Sequence, residues 1–434
     1  MLKVGTAIAD ITPPLGVELS GFGYYLHRAS SAVLDRLMAR AVYIESGAGK
    51  ALLIGNDLIG VDVELTARTR ALCAERLGLP PESVMLAGTH THSGPVTATL
   101  YGAGERDMLY WDHLPYAWAD LAARAVDAAK PAAMYTARGT IEPVGRDRYA
   151  PEGPADTELR LIRFDVDGRM AALLINHSAH AVMLGGANTQ TSADWPGWLE
   201  RTVEAEVPGV VAPFLQGSCG TINPIPACLD TEQGAPEIER VGRRVAADAL
   251  ALAREATPAP GDVCVEAVLE TVPLPAEAPA RAELIALRDE WAGKRDNADV
   301  DPAVRRMARM RAGVCQHLLD TYGDARHAAY PAEVQTFRIG PARIVGIPGE
   351  MFMALGQRIL DAGNGGIVLL AGYANDWMGY FPTREAFGDP RFEYPTQHTG
   401  FIRGWFPFAP GAGERLVDVA IGQCQQTVDI FPRP

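Results

Sequence analysis

The chain has 434 residues, a formal net charge of −14, 48% hydrophobic residues and 21% charged residues. This apolar content is enough for a packed core and differs from the composition of a disordered protein. Nucleic-acid binding needs a basic surface that displaces counterions, and the chain has no dense block of Lys and Arg, so composition argues against nucleic acid as a partner.

The cysteines and the N-terminus bear on where the protein works. Its six cysteines are scattered without short paired spacings, which is unlike a disulfide framework or a CxxC metal motif. The N-terminal segment has no long apolar core of a signal peptide, and no apolar run reaches the roughly 18 residues of a membrane span. We therefore expect a cytoplasmic protein with no membrane span. We also expect its partner to be a small-molecule substrate, and the protein could form a homo-oligomer.

Short β-branched runs alternate with amphipathic stretches, which predicts an α/β fold of mixed β-sheets flanked by helices. The predicted elements, in chain order, are strands 41–44 and 51–54 around Gly47-Ala48-Gly49, a helix over 65–77 that stops at Gly78, a strand over 84–87, a hairpin of 159–166 and 171–176 across Asp167-Gly168, a strand over 210–215, a hairpin of 334–339 and 343–347 across Gly340-Pro341, and a strand over 367–371.

Residues 276–323 differ in composition from the rest of the chain. They are rich in Ala, Arg, Glu and Leu, and they predict two helices that are broken near residues 296–302. We interpret this segment as a helical insertion beside the sheets, either a surface helical pair or a lid. The length of the chain fits one large domain or two fused lobes.

The clearest chemical signal is the sequence GTHTHSGP at residues 88–95, which directly follows a predicted buried strand. His90 and His92 are two positions apart, so in an extended backbone both imidazoles point to the same side. Neutral imidazole is the commonest ligand of zinc in proteins. A polar loop with hydrogen-bonded histidines is the structural alternative.

Two further polar loops also follow predicted strands. His180 lies in Asn176-His177-Ser178-Ala179-His180, where His177 is a weaker candidate, and Glu350 closes GIPGE at residues 346–350. A buried histidine and a helix-capping carboxylate are the structural alternatives. Because sites in α/β sheets assemble at the carboxyl ends of strands, we expect His90, His180 and Glu350 to converge on one metal ion. Asp194 is a candidate for orienting one of the imidazoles.

Together these segments resemble the neutral/alkaline, non-lysosomal ceramidase family, over its catalytic domain. The resemblance rests on GTHTHSGP, the histidine at 180, FLQGSCGTINP at residues 214–224, IPGE and NDWMGY, with early matches at residues 10–14, 20–23 and 35–41. It implies that the chain is a single ceramidase-like catalytic domain over residues 1–434, without the C-terminal immunoglobulin-like domain of ceramidases.

The resemblance also implies roles for individual residues. In the ceramidase pattern Zn²⁺ is held by two histidines, a glutamate and a tyrosine, which correspond to His90, His180, Glu350 and Tyr380. His92 then lies in the reaction centre and assists proton transfer. The further implied substrate contacts are Arg146, Asn223 and Gly21.

One residue departs from the family pattern. Asn223 occupies the position of a serine that bonds the substrate headgroup in ceramidases, and an amide cannot supply an alkoxide. We therefore expect a zinc hydrolase of an amide-type bond whose substrate is not ceramide itself. An ester, lactone or other polar small molecule as substrate, and a noncatalytic metal-binding or ligand-binding relative, are the alternatives.

Overall fold

The structure is a computed structural model, and it describes residues 1–322 and 327–426. Its strands are β1 (Leu2–Asp10), β2 (Ala32–Val33), β3 (Met38–Ser46), β4 (Gly49–Asn56), β5 (Val84–Gly88), β6 (Lys130–Thr140), β7 (Gly145–Asp147), β8 (Glu158–Val166), β9 (Arg169–His177), β10 (Gln190–Thr191), β11 (Phe214–Gln216), β12 (Ile222–Pro224), β13 (Thr257–Pro258), β14 (Val265–Glu277), β15 (His327–Ile339), β16 (Ala342–Gly346), β17 (Glu350–Met351), β18 (Ile367–Ala371) and β19 (Tyr380–Phe381).

The helices cover the faces of the sheets. They are α1 (Val63–Leu77), α2 (Met108–Asp127), α3 (Asp194–Glu206), α4 (Thr231–Arg254), α5 (Arg281–Asp296), α6 (Pro302–Tyr322), α7 (Met353–Leu360), α8 (Thr399–Arg403) and α9 (Ala412–Gln425). Among the described helices none is both long and apolar enough to cross a membrane.

Two β-sheets lie face to face between layers of helices. The larger has the strand order β11-β9-β8-β6-β1-β3-β4-β5, with β13 beside β6, and the smaller has the order β14-β15-β16-β18. Residues such as Val42 and Leu53 of the first sheet and Phe337 and Ile344 of the second form the core between them. Helices α1 and α2 cover part of the outer face of the first sheet, and α7 and α9 cover the second. The α/β class with mixed sheets flanked by helices is confirmed.

Local sequence signals explain where several elements begin and end. Helix α1 starts at Asp62, whose carboxylate accepts from Leu65 N (3.0 Å), and it ends at Gly78 in the left-handed conformation. The β8–β9 hairpin turns at Asp167 and Gly168, which both have positive φ. These elements match the sequence prediction.

Other elements differ from the prediction. The strand predicted over 210–215 is reduced to Phe214–Gln216, and residues 276 and 277 end the long strand β14 rather than begin the helical insertion. Helices α5 and α6 confirm the two helices predicted for that insertion. Pro273 and Pro275 interrupt the pattern of β14, so this strand is not predicted from the sequence. Prolines are tolerated there because β14 is an edge strand of its sheet.

An ion-pair network anchors α3 to the first sheet. Arg40 of β3 is 2% exposed, and its guanidinium lies 2.7 Å from Glu200, 2.7 Å from Glu204 and 3.2 Å from Asp57. Such a network stabilises the fold only while it stays complete, because a buried carboxylate without its partner loses hydration with no compensation.

We predict that Arg40→Met lowers the free energy of unfolding by about 3–5 kcal/mol, because it leaves buried carboxylates unpaired. Urea unfolding followed by circular dichroism measures this loss. The matched control is Arg240→Met, which removes the exposed pair with Glu237 and should cost less than about 1 kcal/mol. Equal unfolding midpoints for the two variants would contradict the prediction.

Candidate metal centre

His90 and His92 lie in the loop that follows β5. The backbone of His90 has a positive φ of 66°, and its N–H donates to Leu58 O (2.9 Å). The neighbouring Thr91 forms a parallel bridge with Ala181. The loop is therefore held on both sides, and the Nε2 atoms of the two imidazoles lie 3.0 Å apart.

His180 and Glu350 reach the same point from two other strand ends. His180 follows β9 by three residues, and its Nε2 lies 2.9 Å from Glu350 Oε2. Glu350 Oε1 lies 3.4 Å from His90 Nε2. Glu350 begins strand β17, which pairs in parallel with β19, so that Tyr380 is its partner in the ladder. The loops after β5, β9 and β16 therefore converge, as expected from their positions at strand ends.

The helix-capping alternative for Glu350 is not what the structure shows, whereas His90 and His180 are buried and hydrogen-bonded as their alternatives describe. Glu350 does not cap a helix, because α7 begins only at Met353 and its N-cap is Phe352. His177, the weaker candidate, lies apart from the centre, and its Nδ1 contacts Glu158 O (2.9 Å).

Backbone carbonyls orient two of the imidazoles. His90 Nδ1 lies 2.6 Å from Ile59 O, and His180 Nδ1 lies 3.0 Å from Ile222 O. A carbonyl only accepts, so each Nδ1 carries the proton and each Nε2 faces the centre. Asp194 was a candidate for this role, but its carboxylate instead accepts from the backbone N–H groups of its own helix start and of residues 183 and 184.

Burial governs the protonation of the cluster. Burial lowers the pKa of His90 to about 4 and lowers that of His92 well below its usual value, so both imidazoles are neutral. Burial also acts to lower the pKa of His180, but contacts with Cys219 and Glu350 outweigh it and raise this pKa to about 10. Against the effect of burial, His90 and His180 lower the pKa of Glu350. Without a metal, the centre therefore holds a His180–Glu350 ion pair.

The cluster has the donor atoms that a metal ion requires. The ligand atoms of His90, His92 and His180 lie within 4.8 Å of one another. His90 and His180 also contact the carboxylate of Glu350, and the indole N–H of Trp377 donates to its Oε1 (3.0 Å). Imidazole nitrogens with a carboxylate oxygen form a common donor set for zinc, so the residues fit a divalent cation. Binding would displace the proton of His180.

Tyr380 lies at the edge of this cluster beside an arginine that the sequence did not single out. Tyr380 is buried, and the guanidinium of Arg148 lies over its ring, 5.1 Å from the centroid. Arg148 Nε and Nη2 are buried and have no hydrogen-bond partner among the described residues. Arg146, the predicted substrate contact, is exposed in β7. Both arginines belong to the segment GRDR at residues 145–148, and the sequence alone does not indicate which of the two lies beside the cluster.

Asn223 lies next to these arginines. It is half-buried in β12, opposite Arg146 of β7, and its Oδ1 is buried without a partner among the described residues. Neither Arg146 nor Asn223 is among the described residues that line the cavity next to the metal-ligand cluster. Their role as substrate contacts stays a prediction.

Gly21 lies against His92 on the wall of the cavity next to the cluster. This cavity has a volume of about 150 Å³ and is bordered by His90, His92, Glu350 and Tyr380. Gly21 has a φ of +99°, and a Cβ atom there would lie 2.4 Å from His92 Cγ. A side chain at this position would therefore collide with the imidazole, in a backbone conformation that favours glycine.

Comparison with known proteins points to one family. The neutral ceramidase of Pseudomonas aeruginosa is 24% identical in a match that covers 96% of this chain and 72% of that protein. Neutral ceramidase A of Dictyostelium discoideum is 25% identical over 52% of this chain, and the match spans only 37% of its length. No protein-family profile matches the sequence. The crystal structure of the Pseudomonas enzyme superposes with a TM-score of 0.73 at 22% identity, covering all of this chain and 76% of that one.

The chain is ceramidase-like. A second solved structure, described as a ceramidase complexed with C2, gives a TM-score of 0.72 at 20% identity and likewise covers all of the ceramidase-like chain. The resemblance read from the short motifs is thus confirmed, and the fold is that of the neutral ceramidase structures.

We predict that Gly21→Ala displaces the ring of His92, because its Cβ would overlap that ring. The added strain should lower the free energy of unfolding by about 1–3 kcal/mol beyond the backbone cost of a positive φ. Gly16→Ala is the matched control, since Gly16 has a φ of +94° with nothing within 4 Å of the added Cβ. Thermal unfolding and histidine NMR shifts of both variants test this. An unshifted His92 resonance in Gly21→Ala would refute it.

Proposed function

We propose that the chain is a zinc-dependent hydrolase that cleaves an amide-type, N-acyl bond. The observation that carries this proposal is the convergence of His90, His92, His180 and Glu350 beside a cavity, on loops from three separate strand ends. Similarity to neutral ceramidases supports the reaction class. The names of those relatives give ceramide as their substrate. Because Asn223 occupies the position of the serine in the ceramidase pattern, we propose a substrate other than ceramide for this chain.

Each residue of the centre has a separate task in this proposal. His90, His180, Glu350 and Tyr380 would hold the cation, and the backbone carbonyls behind the two imidazoles orient the rings so that their Nε2 atoms would face it. When bound, the cation supplies a Lewis acid that polarises a carbonyl and acidifies water.

His92 is the proposed group that moves the proton. Its imidazole is partly buried and neutral, so a ring nitrogen with a free lone pair can take a proton from the attacking water and return it to the leaving nitrogen. Its position is fixed, because its carbonyl accepts from Arg28 Nη2 (2.9 Å) and its ring packs edge-on against Phe22. The phenol of Tyr380 donates to the oxyanion that forms on the substrate.

We expect the purified protein to contain a divalent cation and to hydrolyse N-acyl amino acids or short N-acyl amines. Chelation should reduce turnover to background, and added zinc should restore it, because the cation organises the reacting carbonyl. Metal analysis and a product assay measure both. Matched esters and lactones are screened in parallel.

The screen can also defeat the proposal. Turnover that survives complete metal removal would exclude the metal-dependent mechanism. If zinc-loaded protein hydrolysed every ester faster than its matched amide, an ester would replace the amide as the proposed scissile bond. Metal-loaded protein that cleaves none of these compounds would favour a noncatalytic binding role.

We predict that His92→Ala still binds the cation but loses about 10²–10³-fold in kcat, the cost typical of removing one group that stabilises the transition state. His90→Ala is the comparison, and it should lose the metal together with activity. Metal stoichiometry and kcat are measured on both variants. Full turnover in His92→Ala would remove His92 from the mechanism, and loss of its metal would make it a ligand.

A further inference from the structure

Two buried side chains that have no part in the proposed mechanism lie beside the metal centre. Cys219 and Tyr373 are both 0% exposed, and their side chains are hydrogen-bonded to each other, with the thiol sulfur 2.9 Å from the phenol oxygen. A buried polar group without a partner is costly, so each member of this Cys219–Tyr373 pair depends on the other.

Each member of the pair also contacts one candidate metal ligand. The ring of Tyr373 stacks on the imidazole of His90, with centroids 3.9 Å apart and planes inclined by 17°. Cys219 begins a turn that is followed by Ile222, whose carbonyl accepts from His180 N (3.0 Å). Burial acts to lower the pKa of His180, and contact with the Cys219 side chain opposes this effect. The pair therefore links the imidazoles of His90 and His180.

The backbone holds both members of the pair in place. The N–H of the glycine before Tyr373 donates to Gln216 O (2.7 Å), which joins this loop to the strand that leads to Cys219. Gly220 packs so closely on the next segment that an added Cβ would lie 2.7 Å from Glu350 O. Tyr373 has a φ of 56°, which is uncommon for an aromatic residue and persists only where surrounding contacts hold it. The pair is thus attached to the segments that carry the ligands.

The two imidazoles lack a restraint that this pair supplies. The backbone carbonyls behind His90 and His180 restrain the direction of each Nδ1 atom more than the tilt of each ring plane. A stacked phenol ring opposes tilting of His90, and the thiol contact opposes tilting of His180. Partners of this kind behind a metal ligand fix its orientation, and their loss typically costs about 10–100-fold in metal affinity.

On the basis of the metal centre in the proposed function, we propose that Cys219 and Tyr373 are positioning residues, which fix the imidazoles of His90 and His180 relative to each other and so preorganise them for a divalent cation. Neither residue is itself a ligand. The ring of Tyr373 holds the plane of His90, its hydroxyl holds the thiol of Cys219, and the thiol restrains His180. Loss of any of these contacts weakens cation binding, because the cation must then order the rings itself.

A double-mutant cycle on zinc affinity tests the link between the two residues. Tyr373→Phe keeps the stacked ring and removes the hydroxyl, whereas Cys219→Ala removes the thiol. We expect each variant to raise the zinc Kd about tenfold, the lower end of the range for such contacts. The double variant should bind no more weakly than Cys219→Ala alone, because both changes break the same hydrogen bond. Titration of metal-stripped protein in competition with a chromophoric chelator measures each Kd.

The visible absorption of bound Co²⁺ provides a second readout, because its bands depend on the arrangement of the ligands. The bands should shift in Tyr373→Phe and in Cys219→Ala. Cys219→Ser keeps a hydrogen-bonding group at that position, so it should restore both the spectrum and the zinc Kd. If Cys219→Ala does not fold, Tyr373→Phe and Cys219→Ser still test the hydrogen bond.

Matched controls separate positioning from stability. Tyr330→Phe alters a buried tyrosine that stacks on Trp405 and whose hydroxyl accepts from Phe406 N (2.9 Å). Cys73→Ala removes a thiol that is 0% exposed in α1. Both controls should lower the unfolding midpoint as the test variants do, and both should leave the zinc Kd and the Co²⁺ spectrum unchanged.

Zinc binding requires no substrate, so this inference and the proposed function can fail separately. Unchanged zinc affinity in Tyr373→Phe and Cys219→Ala would overturn the positioning role and leave hydrolysis untouched, and additive losses in the double variant would also overturn it. Weaker, non-additive binding in a protein that hydrolyses nothing would defeat the proposed function and leave the positioning role standing. Unaltered protein that binds no divalent cation would overturn both.

Discussion

Buried amide groups that join the two sheets position the metal centre. Asn176 at the end of β9 donates to Leu370 O of β18 (2.8 Å) and to Leu215 O of β11 (2.9 Å). Asn375, after β18, accepts from Leu86 N of β5 (3.1 Å). Each amide is buried, and both its oxygen and its nitrogen are hydrogen-bonded, so sliding one sheet over the other would leave several polar groups unsatisfied. The strand ends therefore stay together, and the loops that carry the histidines and the glutamate can meet.

This burial has a cost that the centre must offset. His90, His180 and Glu350 lie together with almost no exposure, and in such surroundings a charge is stable only beside an opposite charge or a metal ion. Without a cation the His180–Glu350 pair satisfies this condition. A bound cation would displace the proton of His180 and would replace it as the partner of Glu350. A proton and a divalent cation would therefore compete for the same place.

The local elements of the fold could be predicted because their signals lie within short segments. Asp62 and Gly78 mark the ends of α1, and Asp167-Gly168 marks a hairpin turn. The same holds for the histidines and Glu350, since each lies directly after a strand. The proline-interrupted edge strand β14 could not be recognised, because its place in a sheet depends on β15, which lies more than fifty residues later.

Contacts between distant segments account for the rest. Arg146 and Arg148 are alike in sequence, and only the position of Tyr380 shows which guanidinium lies beside the cluster. The acceptors behind His90 and His180 are backbone carbonyls, which every residue carries, so no sequence pattern identifies them.

The candidate metal ligands and the helical insertion near the cavity come from different parts of the fold. His90, His180 and Glu350 lie in loops of the two sheets. Helix α6, which is inserted between the two strands of the long β14–β15 hairpin, instead contacts Tyr25 and Tyr101, the neighbours in sequence of two cavity-lining residues. Such an insertion can change length or side chains without disturbing the amides that hold the sheets together. The candidate metal ligands and the helical insertion can therefore vary independently of one another. For that reason the short motifs locate the candidate ligands, whereas they carry no information about the insertion that packs beside the cavity.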